Sequence, residues 1–194
     1  MWAFYELERN PTSKEKVISE VQSICGNGED ADYSFDTMNE LQYTHCVLLE
    51  TARLHPPITI DLRFAVKSDT LPDGTSVVPG AGISIYTYAM ARSVDIWGDD
   101  AAKFRPERHM GKKDPSVFLY PVFHAGPRAC LGRPLAMLTM KMTLSMMLTS
   151  PIIDFKDTIG HSGEEDPGIT CPMKGAFPVS VFRRNHCAAG LRTK

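Results

Sequence analysis

The chain has 194 residues, 43% of them apolar and 23% charged, with a formal charge of −2. That length fits one domain or a piece of a larger one, and the near-neutral balance leaves no electrostatic footprint for nucleic acid as a partner. The five cysteines, Cys25, Cys46, Cys130, Cys171 and Cys187, are scattered without a CxxC pair. That odd set argues against a disulfide framework or a zinc site and suits a reducing compartment.

No uninterrupted apolar run reaches about 18 residues, so no membrane span is expected. Residues 1–10 lack the charged-then-apolar order of a signal peptide. In chain order, Val17, Val21 and Ile24 recur at helical spacing and predict a helix over residues 14–25, stopped by Gly26. The polar run 26–32 reads as a loop. A second helix is expected from Asp36 or Thr44 to Leu54. It must stop there, because His55 precedes Pro56 and the residue before proline is pushed out of the helical region.

The period then changes to two. Ile58, Ile60, Leu62, Phe64 and Val66 alternate with Thr59, Asp61, Arg63 and Ala65, the pattern of a half-buried strand. Leu71-Pro72-Asp73-Gly74 predicts a turn, residues 75–78 a short strand, Pro79-Gly80 another turn, and residues 83–90 a third strand. Residues 93–121 show little periodicity, and loops this long inside a compact domain are usually functional. Residues 134–149 are dense in apolar side chains, methionine especially, and free of glycine; they predict a long, largely buried helix. Residues 169–182 read as two short strands joined around Lys174-Gly175. The fold class implied is mainly α with a small antiparallel β-sheet.

The segment Phe123-His124-Ala125-Gly126-Pro127-Arg128-Ala129-Cys130-Leu131-Gly132 carries most of the chemistry. A thiolate ligand to haem iron pushes electron density onto the metal. Gly126 and Gly132 flank the sulfur and permit a tight turn and close approach to a flat ring. Arg128 offers a rigid cationic fork suited to a propionate. A helix is expected to begin directly after Cys130, bringing free amides and its dipole to the thiol. Elsewhere, Glu50 and Arg53 stand three residues apart on the second helix and can pair; the apolar residues around them imply a buried pair that needs a third group.

The loop, F-x-x-G-x-R-x-C-x-G, resembles the haem-binding signature of the cytochrome P450 family at every fixed position. The resemblance implies a haem-thiolate monooxygenase module using haem b (iron protoporphyrin IX). Cys130 would be the axial iron ligand, Arg128 a propionate partner and Phe123 the aromatic beside the sulfur. Phe104-Arg105-Pro106-Glu107-Arg108 is similar to the family's meander, so Arg108 would complete a network with Glu50 and Arg53. His109 departs from the aromatic apolar residue usual after that arginine, which puts local packing in question. Arg63 takes the position of a second propionate contact, and Thr139 replaces a common acidic residue. Trp97-Gly98 closes a stretch, from Leu71, most similar to the plant-type fatty-acid omega-hydroxylases.

The resemblance covers residues 2–183 and implies the C-terminal part of the P450 fold across 1–194. The acid/alcohol helix run A-G-x-D/E-T-T does not occur. The expectation is a parent protein that hydroxylates an apolar small molecule with O2 and electrons from an NADPH-dependent reductase at the cytoplasmic face of the endoplasmic reticulum, and an isolated chain that is inactive. The alternatives are a non-catalytic haem-binding protein and a truncated fragment.

Overall fold

The computed structural model describes residues 1–150, 153–156, 162–166, 168, 170–175 and 177–183. Four helices build the core. Helix α1 spans Trp2–Arg9 and α2 spans Pro11–Cys25. Asn10 separates them; Pro11 lacks the amide that continuation would need and is pre-set for a first turn. Helix α2 ends at Gly26, whose φ of 85° only glycine adopts cheaply. A 3₁₀ turn at Gly28–Asp30 interrupts the expected loop.

The second predicted helix is two. Helix α3 spans Phe35–Glu40, capped by Ser34, whose hydroxyl accepts from the Thr37 amide. Leu41 is extended, and α4 then runs Gln42–Leu54 and stops at His55. The start of α4 has no cap of its own. Glu20, on α2, accepts from the amides of Tyr43 at 2.6 Å and Thr44 at 2.8 Å. A carboxylate from another helix thus satisfies free donors at a helix N-terminus and opposes its dipole.

Strand β1, Asp61–Phe64, is the only part of the long alternating run that joins a ladder. Ile58 forms an isolated bridge with Thr170. Strands β2, Asp69–Thr70, and β3, Ser76–Val77, make a hairpin around Leu71–Gly74. Strand β4, Gly82–Ile85, pairs antiparallel with β1. The third predicted strand is therefore shorter than expected. From Thr87 the chain turns into α5, Thr87–Ala91, because Arg53 captures the Ala91 carbonyl and no strand partner extends past Ile85. Helix α6 is one turn, Val94–Trp97.

Helix α7 runs Arg133–Thr149. Met137, Leu144 and Leu148 pack against Leu7, Val17, Val21, Val47 and Leu48 of α1, α2 and α4. It is buried along one side rather than throughout: Leu135, Met146 and Met147 are exposed. Lys141 lies on the buried side and donates to the Met38 carbonyl at 2.8 Å; burial lowers its pKa. Strands β5, Ile153–Lys156, and β6, Ser180–Arg183, pair antiparallel. Among the described residues the C-terminal strand thus pairs with β5 upstream, and Met173 forms an isolated bridge with Glu165. Ile169, Ala176, His161, His186 and Cys187 lie outside the described residues. Among the described residues the β structure consists of three small two-stranded antiparallel sheets. Among the described residues no helix is long and apolar enough to cross a membrane.

Candidate functional site

Two groups of predicted residues are built very differently. The first is a buried charge cluster. One turn of α4 places Glu50 beneath Arg53, and neither side chain has any exposed surface. Arg53 grips the carboxylate with a fork, Nε to Oε2 and Nη2 to Oε1, both at 2.9 Å. The 3₁₀ turn Pro106–His109 delivers the rest. Arg108 Nε donates to Oε1 at 2.8 Å and the Arg105 amide donates to the same oxygen at 2.9 Å. His109 Nε2 lies 3.0 Å from Oε2. An ionised carboxylate only accepts, so His109 carries its proton on Nε2.

The guanidinium donors left over go to carbonyls and one acid. Arg53 Nη1 donates to Ala91 and Ala101 and its Nη2 to Lys103. Arg108 donates to Trp97, Asp100 and Lys103 carbonyls and to the Asp100 carboxylate. Burial alone would raise the Glu50 pKa; the donors from Arg53 and His109 more than reverse that and hold it at about 2. His109 is thus more than a packing change after Arg108. It is buried and bonded to the same carboxylate, and its ring meets Trp97 and Tyr120 edge to face at 6.1 and 6.5 Å.

The second group is the cysteine loop. Its base is anchored by Tyr120, a buried phenol that donates to the Leu49 carbonyl on α4 at 2.8 Å; burial holds its pKa above the ordinary value. A 3₁₀ turn follows at Pro121–Phe123. His124 then adopts φ 60°, ψ −176°, a region nearly reserved for glycine, and Gly126 has φ 65°. After the 3₁₀ turn Gly126–Arg128, the Cys130 amide donates back to the Phe123 carbonyl at 2.8 Å and closes the loop. Helix α7 does not begin directly after the cysteine. Leu131 and Gly132 intervene, because Gly132 (φ −82°, ψ 3°) serves as the cap residue for Arg133.

Cys130 lies at the surface, while Cys25, Cys46 and Cys171 are buried. Gly126 to Gly132 are exposed throughout, Leu131 at 98%. Arg128 is exposed and its guanidinium has no ion pair among the described residues. Arg63, on β1, pairs with Asp61 and donates to the Leu62 carbonyl. The apolar face expected to be buried on that strand is the more exposed one: Leu62, Phe64 and Val66 face solvent, Val66 at 95%. Leu135, Phe118 and Leu119 are exposed as well. Arg133 braces the loop, its guanidinium 5.4 Å from the Phe123 ring centroid and Nη2 2.5 Å from Asp114, which also bonds His45 on α4.

The donor set fits haem b. One exposed thiol, two guanidinium groups and several exposed apolar side chains match a soft axial ligand, propionate partners and a flat apolar ring. Cys130, Arg128 and Arg63 are the residues that could hold it. The roles that residue patterns did not assign are those of His109 and Tyr120. Their signal was the contiguity of His109 with Arg108; the partner of Tyr120, a carbonyl 71 residues upstream, leaves no local trace.

Comparison with known proteins bears on the same segments. The family model described as Cytochrome P450 matches residues 1–158. Cytochrome P450 94A2 of Vicia sativa is 35% identical over 192 residues, 95% of this chain and 36% of that protein. Cytochrome P450 94C1 of Arabidopsis thaliana is 34% identical over 192 residues, 94% of this chain and 38% of that protein. Noroxomaritidine synthase of Narcissus aff. pseudonarcissus MK-2014 is 34% identical over 197 residues, 95% of this chain and 38% of that protein. The chain spans little more than a third of the length of these relatives.

Proposed function

Since this chain belongs to the cytochrome P450 family, we propose that it carries the haem-thiolate segment of a monooxygenase, with the Cys130 thiolate as axial ligand to the iron of haem b. The observation that carries the reading is the cysteine loop. Among the described cysteines only Cys130 reaches the surface, on a loop closed by its own amide and flanked by exposed arginine and apolar side chains. When bound, haem supplies the dioxygen chemistry that no amino-acid side chain performs.

The residues of this chain have the supporting roles. Cys130 donates electron density through sulfur. Arg128 and Arg63 would hold the propionates as charge-assisted donors. Phe123 packs beside the sulfur, and Gly126 and Gly132 keep Cβ atoms off the ring. Glu50, Arg53 and Arg108 fix the scaffold beneath the loop. The substrate of the whole protein is an apolar small molecule, and the similarity of residues 71–98 to plant-type fatty-acid omega-hydroxylases favours a fatty acid. Electrons come from an NADPH-dependent reductase at the cytoplasmic face of the endoplasmic reticulum.

The test is the absorption spectrum of the haem-loaded chain, reduced and under carbon monoxide. A thiolate-ligated iron gives a strongly red-shifted Soret band, and Cys130→Ala removes it. Haem uptake with the same band in the Cys130→Ala variant overturns the assignment.

A further inference from the structure

His109 occupies a junction that the chemistry of the loop does not by itself require. It bonds Glu50 on one side, and its ring meets Tyr120 on the other. Trp97 closes a three-ring cluster, 6.1 Å from His109 and 6.4 Å from Tyr120, beneath the Arg53 guanidinium at 5.0 Å. Tyr120 is the residue at which the cysteine loop begins. Its ring is fixed by two neighbours with edge-to-face geometry and its hydroxyl by the Leu49 carbonyl.

We propose that His109 is a positioning residue that couples the buried Glu50 cluster to the thiolate loop. Its Nε2–H sets the ring angle by bonding Glu50 Oε2, and the ring in turn sets the place of Tyr120 and of the turn Pro121–Phe123. That turn supplies the carbonyl that receives the Cys130 amide. The polar and the aromatic contact act together: a ring that cannot donate leaves Glu50 Oε2 with Arg53 Nε alone, and a buried acceptor short of a donor is costly. The proposal deepens the haem-thiolate reading of Cys130 and rests on it for its functional meaning.

Two substitutions separate positioning by the hydrogen bond from ring packing. His109→Phe keeps a ring and loses the donor. His109→Gln loses the ring and keeps a donor where Nε2 stood. The expected result on the full chain is that His109→Phe lowers the melting temperature by about 3–8 °C, with His109→Gln recovering at least half of that. Amide hydrogen exchange across residues 120–131 should accelerate about fivefold or more in both variants, because each breaks the relay from Glu50 through the ring to Tyr120, and the red-shifted carbon-monoxide band of the haem-loaded form should shrink in both. If His109→Phe matches the parent chain in melting or exchange, if it outperforms His109→Gln in melting, or if His109→Gln leaves exchange across residues 120–131 at the parent rate, the proposal is overturned. Melting and exchange are read without haem. They decide the role of His109 even if the parent chain shows no thiolate band, an outcome that would instead refute the assignment of Cys130.

Discussion

Glu50 and Arg53 have no exposed side-chain surface and Arg108 almost none, and each guanidinium N–H of the two arginines has an acceptor within the chain. Cys130, Arg128 and Leu131, at the far end of the same stretch that supplies Arg108, are exposed. A buried ion cluster this fully satisfied is a scaffold element: two guanidinium groups out of water are tolerable only where every donor is met. A strained, exposed loop offering a thiol and apolar side chains suits the haem site proposed for it. The difference separates what holds the chain together from what is proposed to bind the cofactor.

The strongest way to break that contrast is to remove one member from each region. Glu50→Gln leaves two buried cations short of their counter-charge and should cost about 3–5 kcal/mol in a denaturant or thermal melt. Cys130→Ser should change the melt of the haem-free chain by less than about 0.5 kcal/mol, while removing the thiolate band. Equal losses in the two melts would show that both regions are structural.

Acid sharpens the same contrast. Glu50 titrates at about 2, below the ordinary glutamate value of 4.5. Its contribution is therefore fully present above the unfolded-state pKa and is lost as pH falls toward the folded one. By linkage this is on the order of 3 kcal/mol, disappearing between about pH 5 and about pH 2. Melts recorded across that window should fall steeply for the parent chain and more gently for Glu50→Gln; parallel curves would show that Glu50 is not the responsible group.

On the exposed side, Arg63→Ala and Arg128→Ala should each weaken haem affinity about tenfold, or about 1.4 kcal/mol, with melts of the haem-free chain nearly unchanged. Haem titration followed by absorbance checks this, and unchanged affinity in both would remove the propionate role. The smallest effect expected is at His124. Its φ of 60° with ψ −176° is strained for any residue with a Cβ, so His124→Gly should raise stability by about 0.5–1 kcal/mol, measured as a small rise in melting temperature.

Much of this was readable along the chain. Three-residue spacing put Glu50 under Arg53, and Gly26 and His55-Pro56 marked two helix ends. Other features were not. The start of α4 carries no local cap because Glu20 supplies it from α2. The run 83–90 reads as a strand, yet residues past Ile85 form a helix, since a strand needs a partner and Arg53 takes the Ala91 carbonyl instead. The alternation of β1 is present but its apolar side faces solvent, because periodicity reports two faces and not which of them is covered.

Local pattern was thus enough for the mostly helical character and the helix stops, because each follows from backbone sterics or from side chains within a few residues of one another. Only the folded chain decided the rest. Beyond the Arg108–Glu50 pairing that the family resemblance implies, it added the Arg105 amide and His109, 55 and 59 positions from Glu50, as further donors, and seated Tyr120 against α4. Those contacts depend on burial and on partners distant along the chain, and no spacing rule carries that information.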